Sequence, residues 1–229
     1  MVVGNGMMAQ AFAKFKKTPE VIIYASGVSN SNVTDLSELQ REVQTISQYL
    51  NTSECLVYFS TLSIYDSTVQ NSLYVQHKKR MEELIKTSCK KYIIFRIPIV
   101  IGKSNNPHTL INTLLNQIRK GETLRVFKKA FRYVIDIDDI VEIATPIILN
   151  QKNHNSIWNM CFNNNTSIQE IITYIEDVIG IVAKKQYIDK GDKYIVPNDN
   201  FLQYLDSIGY KLPTDYINQT LKKYYKQYE

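Results

Sequence analysis

Tyr74 and Lys78, in the stretch Tyr74-Val75-Gln76-His77-Lys78, are the side chains of this sequence best suited to proton transfer. On a helix, positions i and i+4 share a face. That face continues through Met81 and Ile85, an apolar stripe expected to look inward. A lysine on a buried stripe is costly unless something there uses its charge. An ammonium beside a phenol lowers the phenol's pKa, and a phenol so tuned exchanges protons with a sugar hydroxyl or a carbonyl. The spacing points to oxidoreductive chemistry. Upstream, Ser60-Thr61-Leu62-Ser63-Ile64-Tyr65 ends an apolar run. Its hydroxyls either polarise a substrate carbonyl or serve only as local caps and turns.

A second constellation lies at the N-terminus, where Gly4-x-Gly6-x-x-Ala9 follows the strand-like stub Met1-Val2-Val3 and opens a helical run to about Phe15. Strand, glycine turn and helix together let backbone amides hold a pyrophosphate, although glycines in such a turn often serve the turn alone. Lys14, Lys16 and Lys17 follow, either to meet a phosphate or as a solvated helix end.

The elements that must position these groups alternate. Apolar strands are expected at Val21–Tyr24 (running into Ala25-Ser26-Gly27), at 56–59, and at 92–100 running into Gly102. Between them lie a helix capped near Thr34 or Asp35 and the Tyr74 helix. The first carries Leu36, Leu39, Val43, Ile46 and Leu50 at helical spacing. Such alternation predicts a parallel sheet covered on both faces, with ligands at the strands' C-terminal edge. Beyond Gly102 the pattern loosens. A helix is expected from Pro107 to about Arg119, strand-like pieces over 126–136, and a helix from Asp138 or Asp139. Ser167-Ile168-Gln169-Glu170 is a capping box launching another helix that ends at Gly180, and two short helices follow Asn200. We expect a dinucleotide-binding core over 1–103 and a mixed region over 104–229, holding a small C-terminal substrate-binding subdomain and elements returning to the core.

With 229 residues the chain can bury one sizeable core. Its net charge of +5 is spread in small clusters, either solvated helix faces or a preference for phosphorylated ligands, with no nucleic-acid motif behind them. Neither a membrane-spanning run nor a signal-like N-terminus is present, so the default address is cytoplasmic, without membrane insertion. The first strand looks clipped. Cys55, Cys89 and Cys161 read as reduced thiols, and His77, His108 and His154 lack ligand spacing, so no metal site is expected.

Taken in order, several segments resemble the extended short-chain dehydrogenase/reductase family, in its NAD-dependent epimerase/dehydratase branch acting on nucleotide sugars. They are the glycine turn, Ala25-Ser26-Gly27, Ser60-Thr61 through Tyr65, Tyr74-x-x-x-Lys78, Arg96-Ile97-Pro98-x-x-x-Gly102 and residues 132–139. The resemblance covers residues 1 to about 180. It implies a Rossmann-like α/β fold, Tyr74 as catalytic acid/base, and Lys78 as the cation that tunes it and holds the nicotinamide ribose. Thr61, with Ser60 or Ser63 nearby, would bond the reacting sugar oxygen. Gly4, Asn5, Gly6, Met7, Met8, Ala25, Ser26, Gly27 and Ser60 would line an NAD or NADP site, and Ser63, Asn106 and Arg132 the substrate. Arg132 would contact the nucleotide diphosphate, or else form a structural salt bridge to Asp136 or Asp138.

Two departures from the family stand out. The chain passes from its first helix directly to the segment matching the family's fourth strand, so the second and third strands are missing. With them goes the acidic residue that binds the adenosine ribose. The Thr61–Tyr74 interval is also short, and Leu62 and Ser63 stand where dehydratases carry an Asp-Glu pair. The resemblance therefore implies a nucleotide-sugar epimerase or ketoreductase of surface-polysaccharide biosynthesis, working as a homodimer through the 36–50 and Tyr74 helices. The alternative is a degenerate member without redox activity that binds a sugar nucleotide or a partner.

Overall fold

The computed structural model describes residues 1–226. The chain begins with β1 (Val2–Val3), α1 (Met7–Ala11) and a 3-10 stretch (Ala13–Lys17), then β2 (Val21–Tyr24) and α2 (Leu36–Ser47). Next come β3 (Cys55–Thr61), α3 (Leu73–Ser88), β4 (Tyr92–Ile97), β5 (Ile99–Ile101) and α4 (Leu110–Arg119). The second half holds β6 (Thr123–Phe127), β7 (Phe131–Arg132), β8 (Val134–Asp136), α5 (Ile137–Leu149), β9 (Ser156–Asn159) and β10 (Thr166–Ser167). It closes with α6 (Ile168–Ile179), β11 (Lys184–Ile188), α7 (Asp199–Ser207) and α8 (Tyr216–Tyr225).

The main sheet is parallel, in the order β1-β2-β3-β4-β9. Alternate side chains of each strand serve opposite faces. Ile23, Val57, Ile93 and Phe95 pack with Phe12, Phe15 and the α5 residues Ile140, Ile143 and Ile147. Ile22, Tyr24, Leu56, Tyr58 and Ile94 pack with Ile46 of α2 and Met81 and Ile85 of α3. This is the expected Rossmann-like sheet with helices on both faces and a reduced strand count. Because β1 pairs directly with β2, β1 forms an edge of the sheet.

Several expectations shift. The single strand over 92–100 breaks at Pro98, which has no N–H to donate; β5 then leaves the main sheet to pair with β8. The helix expected from Pro107 starts at Leu110, because Thr109 caps it and Asn106 accepts from the His108 amide (2.9 Å) in a preceding turn. α5 starts at Ile137, capped by Asp136. The fifth strand, β9, was not anticipated: its half-exposed edge gives little alternation in sequence. The capping box at Ser167 forms as expected, with Gly180 left-handed at the helix end. On α2 the stripe divides. Ile46 is buried, while Leu36 is 56% exposed and lines a groove of about 640 Å³ with Leu39, Val43, Leu73, Gln76, His77 and Arg80. No helix among the described residues is long and apolar enough to cross a membrane.

Phe12 is fully buried, its ring 5.2 Å from that of Phe59 and 5.9 Å from that of Phe15. Phe12→Ala is expected to lower stability by about 3–5 kcal/mol in urea unfolding. A change under about 1 kcal/mol would refute this packing of the first helix.

Candidate functional site

The C-terminal ends of β1, β2 and β3 gather most of the candidate residues. Gly4 turns the chain after β1 with φ +113°. A Cβ built there would lie 2.5 Å from the Ala25 carbonyl oxygen, so glycine alone lets the two backbones meet. Asn5 follows, its carbonyl accepting from Gln10 (3.0 Å). Gly6 faces open space, whereas Met7 and Met8 pack partly into the core. Beyond Ala25, Ser26 takes two bonds from the Arg41 guanidinium, one to its hydroxyl (3.2 Å) and one to its carbonyl (3.1 Å).

α3 carries the central pair. Ser72 caps the helix by accepting from the Val75 amide, which fixes the start from which Tyr74 and Lys78 project. Tyr74 is half-buried, its ring centre 5.9 Å from the Lys78 ammonium. Lys78 is 2% exposed. Its charge is met by Glu42 of α2, fully buried, at 3.3 Å, and its second bond goes to the Tyr58 hydroxyl at 2.9 Å. The same Glu42 oxygen, Oε1, also accepts from Tyr58 (2.6 Å), and Oε2 accepts from the Val28 amide (2.6 Å) and lies 3.0 Å from His77. Burial alone would raise the Glu42 carboxyl, but Lys78, His77, Tyr58 and the Val28 amide together hold it down at about 2. Burial, and then the Glu42 charge, push the Tyr58 phenol well above its ordinary value. A Cβ on Gly27 would sit 2.8 Å from the Lys78 nitrogen, so the bare glycine leaves the ammonium its space.

The hydroxyls after β3 have separate tasks. Ser60 is buried and donates to Glu82 at 2.5 Å; Glu82 is also held by Arg96, at 2.6 Å from its Nη2. Thr61 accepts from the Ser63 amide (3.1 Å), capping a 3-10 turn over Leu62–Tyr65. Its own proton remains for another acceptor. Asn106 stands across the edge, donating to Ser29 at 3.0 Å. Arg132 forms a salt bridge to buried Asp66 at 3.3 Å and donates to the Phe131 carbonyl. Its partner is neither Asp136 nor Asp138. Asp136 already caps α5 and receives Lys223 (2.7 Å) and Tyr224 (2.6 Å) from α8.

Sequence reasoning missed Glu42, Tyr58, His77 and Arg41. The trace it left was a carboxylate one turn before Ile46 on the inward side of α2, where an unpaired charge is rarely tolerated. The residues present suit a nicotinamide dinucleotide in two respects. Gly6 borders open space beside the turn, and Lys78 commits two of its three ammonium protons within the protein.

Glu42→Ala would leave Lys78 and the Val28 amide buried without their partner, and is expected to cost about 3–5 kcal/mol in urea unfolding. Because the Glu42 carboxyl is depressed when folded, its contribution is complete above the ordinary carboxylate range and is lost as pH falls toward about 2. Between pH 6 and pH 3 the stability of Glu42→Gln should therefore fall less than that of the native chain. Parallel curves would contradict the assignment.

A family model described as the RmlD substrate binding domain matches residues 42–174. Over 147 residues (63% of this chain) the sequence is 29% identical to a putative ankyrin repeat protein of Acanthamoeba polyphaga mimivirus, and the match spans 18% of that protein's length. Among solved structures, the UDP-glucose 4-epimerase of Thermus thermophilus with NAD is similar at TM-score 0.67 and 15% identity, over 95% of this chain and 80% of that one. The UDP-glucuronic acid 4-epimerase of Bacillus cereus gives 0.69 and 18%, over 90% and 74%. A dTDP-4-dehydrorhamnose reductase of Clostridium acetobutylicum gives 0.65 and 16%, over 95% and 84%. At these identities the solved structures share the fold. The family match covers more than half of the sequence, and the chain belongs to the RmlD substrate binding domain family, as a shortened member of the extended short-chain dehydrogenase/reductase class.

Proposed function

We propose that the chain is a nucleotide-sugar epimerase or ketoreductase using NAD or NADP, acting in the supply of sugars for surface polysaccharides. The observation that carries this reading is the placement of Tyr74. It is half-buried at the start of α3, on a helix packed against β3 and the turn after Thr61, with a buried ammonium one helical turn behind it. The named activities of the similar solved structures, epimerases and a reductase of nucleotide sugars, support it.

When bound, a nicotinamide supplies or accepts the hydride exchanged with a sugar carbon, most plainly C4. Tyr74 takes the proton from the sugar hydroxyl as the carbonyl forms, or returns it in the reverse direction. Thr61 donates to the same oxygen with the proton its cap leaves unused. Lys78 directs its remaining proton to a ribose hydroxyl, steadied from behind by Glu42 and Tyr58. The Gly4–Met8 turn and Ala25–Gly27, with the backbone of Ser60, whose hydroxyl is held by Glu82, would form the wall along the dinucleotide. Ser63, Asn106 and Arg132 stand on the sugar-nucleotide side. Water elimination is disfavoured because Leu62, 1% exposed, and Ser63 offer no carboxyl proton donor. In this reading residues 1–103 form the dinucleotide-binding core, and 104–229 supply the substrate side and return β9 to the sheet.

Tyr74→Phe should lower turnover of UDP-glucose or dTDP-4-dehydrorhamnose by about 100-fold or more while unfolding like the native chain; undiminished turnover would end the proposal. Absence of binding to either NADH or NADPH would instead favour a sugar-nucleotide- or partner-binding protein without redox chemistry. The α2–α3 groove, with exposed Leu36 and Leu73 at its rim, is proposed to pair two copies. Light scattering should give a dimer that Leu36→Glu with Leu73→Glu converts to a monomer, and a native monomer at high concentration would contradict it.

A further inference from the structure

We propose that Arg41 reads the adenosine end of the dinucleotide and selects one carrying a 2′-phosphate, NADP(H) rather than NAD(H); this rests on the nicotinamide reading above. Arg41 lies on α2, exposed, and both of its hydrogen bonds go to Ser26, one to the hydroxyl and one to the carbonyl. Ser26 immediately follows Ala25, whose carbonyl forms the close contact with Gly4. The guanidinium therefore stands at the C-terminal end of β2, one residue beyond the wall of the glycine turn that follows the edge strand β1.

A dinucleotide laid along the strand ends, with its nicotinamide toward Tyr74, would turn its adenosine toward this side. Dinucleotide sites that take NAD place a carboxylate near the ribose 2′-hydroxyl, whereas those that take NADP place an arginine near the 2′-phosphate. The strand that would bring such a carboxylate is missing between β1 and β2, and a cation stands beside the loop instead.

The charge of Arg41 is not already spent. None of the ion pairs among the described residues includes it. Of the five N–H donors of a guanidinium, Ser26 occupies one on each terminal nitrogen, and the rest are available. Anchoring by Ser26 fixes the plane of the fork, which favours paired hydrogen bonds to a phosphate. Lys14, Lys16 and Lys17 lack this anchoring: they lie exposed on the 3-10 stretch, and none hydrogen-bonds to the loop after β2.

The test is binding to the full chain, followed by calorimetry or intrinsic fluorescence, with NADPH and NADH and with the fragments 2′,5′-ADP and 5′-ADP. The native chain should bind each 2′-phosphorylated ligand about 10- to 100-fold more tightly than its partner, the range of a charge-assisted contact. Arg41→Ala should erase that preference with the thermal midpoint retained, and Arg41→Lys should restore part of it; an equal loss of NADH and NADPH affinity in Arg41→Ala would show a role in holding Ser26 instead and would overturn the inference. Equal affinities in the native chain, or a preference that survives Arg41→Ala, would overturn the inference while leaving the nicotinamide reading in place. If neither NADH nor NADPH binds, both fall together.

Discussion

The site depends on one buried charge meeting another. Lys78 reaches the interior because α3 turns the same face inward that carries Met81 and Ile85, and a buried ammonium survives only beside a counter-charge. Glu42 supplies it. By also accepting from Tyr58 and Val28, that carboxylate ties α2, β3, α3 and the loop after β2 into one unit. The pair is weak grounds for overall stability, since buried ion pairs give back much of their attraction as desolvation. Its effect is on geometry, because it fixes where the ammonium points and where Gly27 and Val28 run.

A second buried carboxylate organises the other side of α3. Glu82 receives both Ser60 and Arg96, and Arg96 continues to the Tyr65 hydroxyl at 2.7 Å. Asn159 of β9 bonds the same hydroxyl at 3.0 Å and the Pro197 carbonyl at 2.6 Å. This path joins α3, β4, the turn after Thr61, β9 and the segment before α7. Ser60 thus points toward α3 and holds the helix, and Thr61, one residue on, points to the opposite face of the sheet and caps the turn that follows. The alternation of a strand sends two adjacent hydroxyls to different partners.

The C-terminal region closes over the sheet in the same manner. Tyr216 of α8 donates to Asp139 and accepts from the Asp136 amide, while Lys223 and Tyr224 reach the Asp136 carboxylate. The acidic run opening α5 is thereby consumed by α8, which leaves Arg132 to pair with Asp66. An arginine followed by three aspartates within seven residues invites a local pairing in sequence. The fold sends those aspartates to a helix about eighty residues later, a separation that local spacing cannot reveal.

The sequence by itself determined the alternation of strands and helices as far as Gly102, the glycine turn, the Ser167 cap and the shared face of Tyr74 and Lys78. These follow from local rules of period, capping and backbone freedom, and the structure keeps them. It also showed that two strands are missing, because 17 residues separate β1 from β2 and leave no room for another strand-helix-strand unit. Only the tertiary structure decided what the ions meet: Lys78 with Glu42, Arg96 with Glu82, Arg132 with Asp66 and Arg41 with Ser26. It also decided that β9 completes the sheet. The physical reason is that charge and strand pairing are satisfied by neighbours in space, and parallel strands bring together residues tens of positions apart whose identities leave no periodic trace.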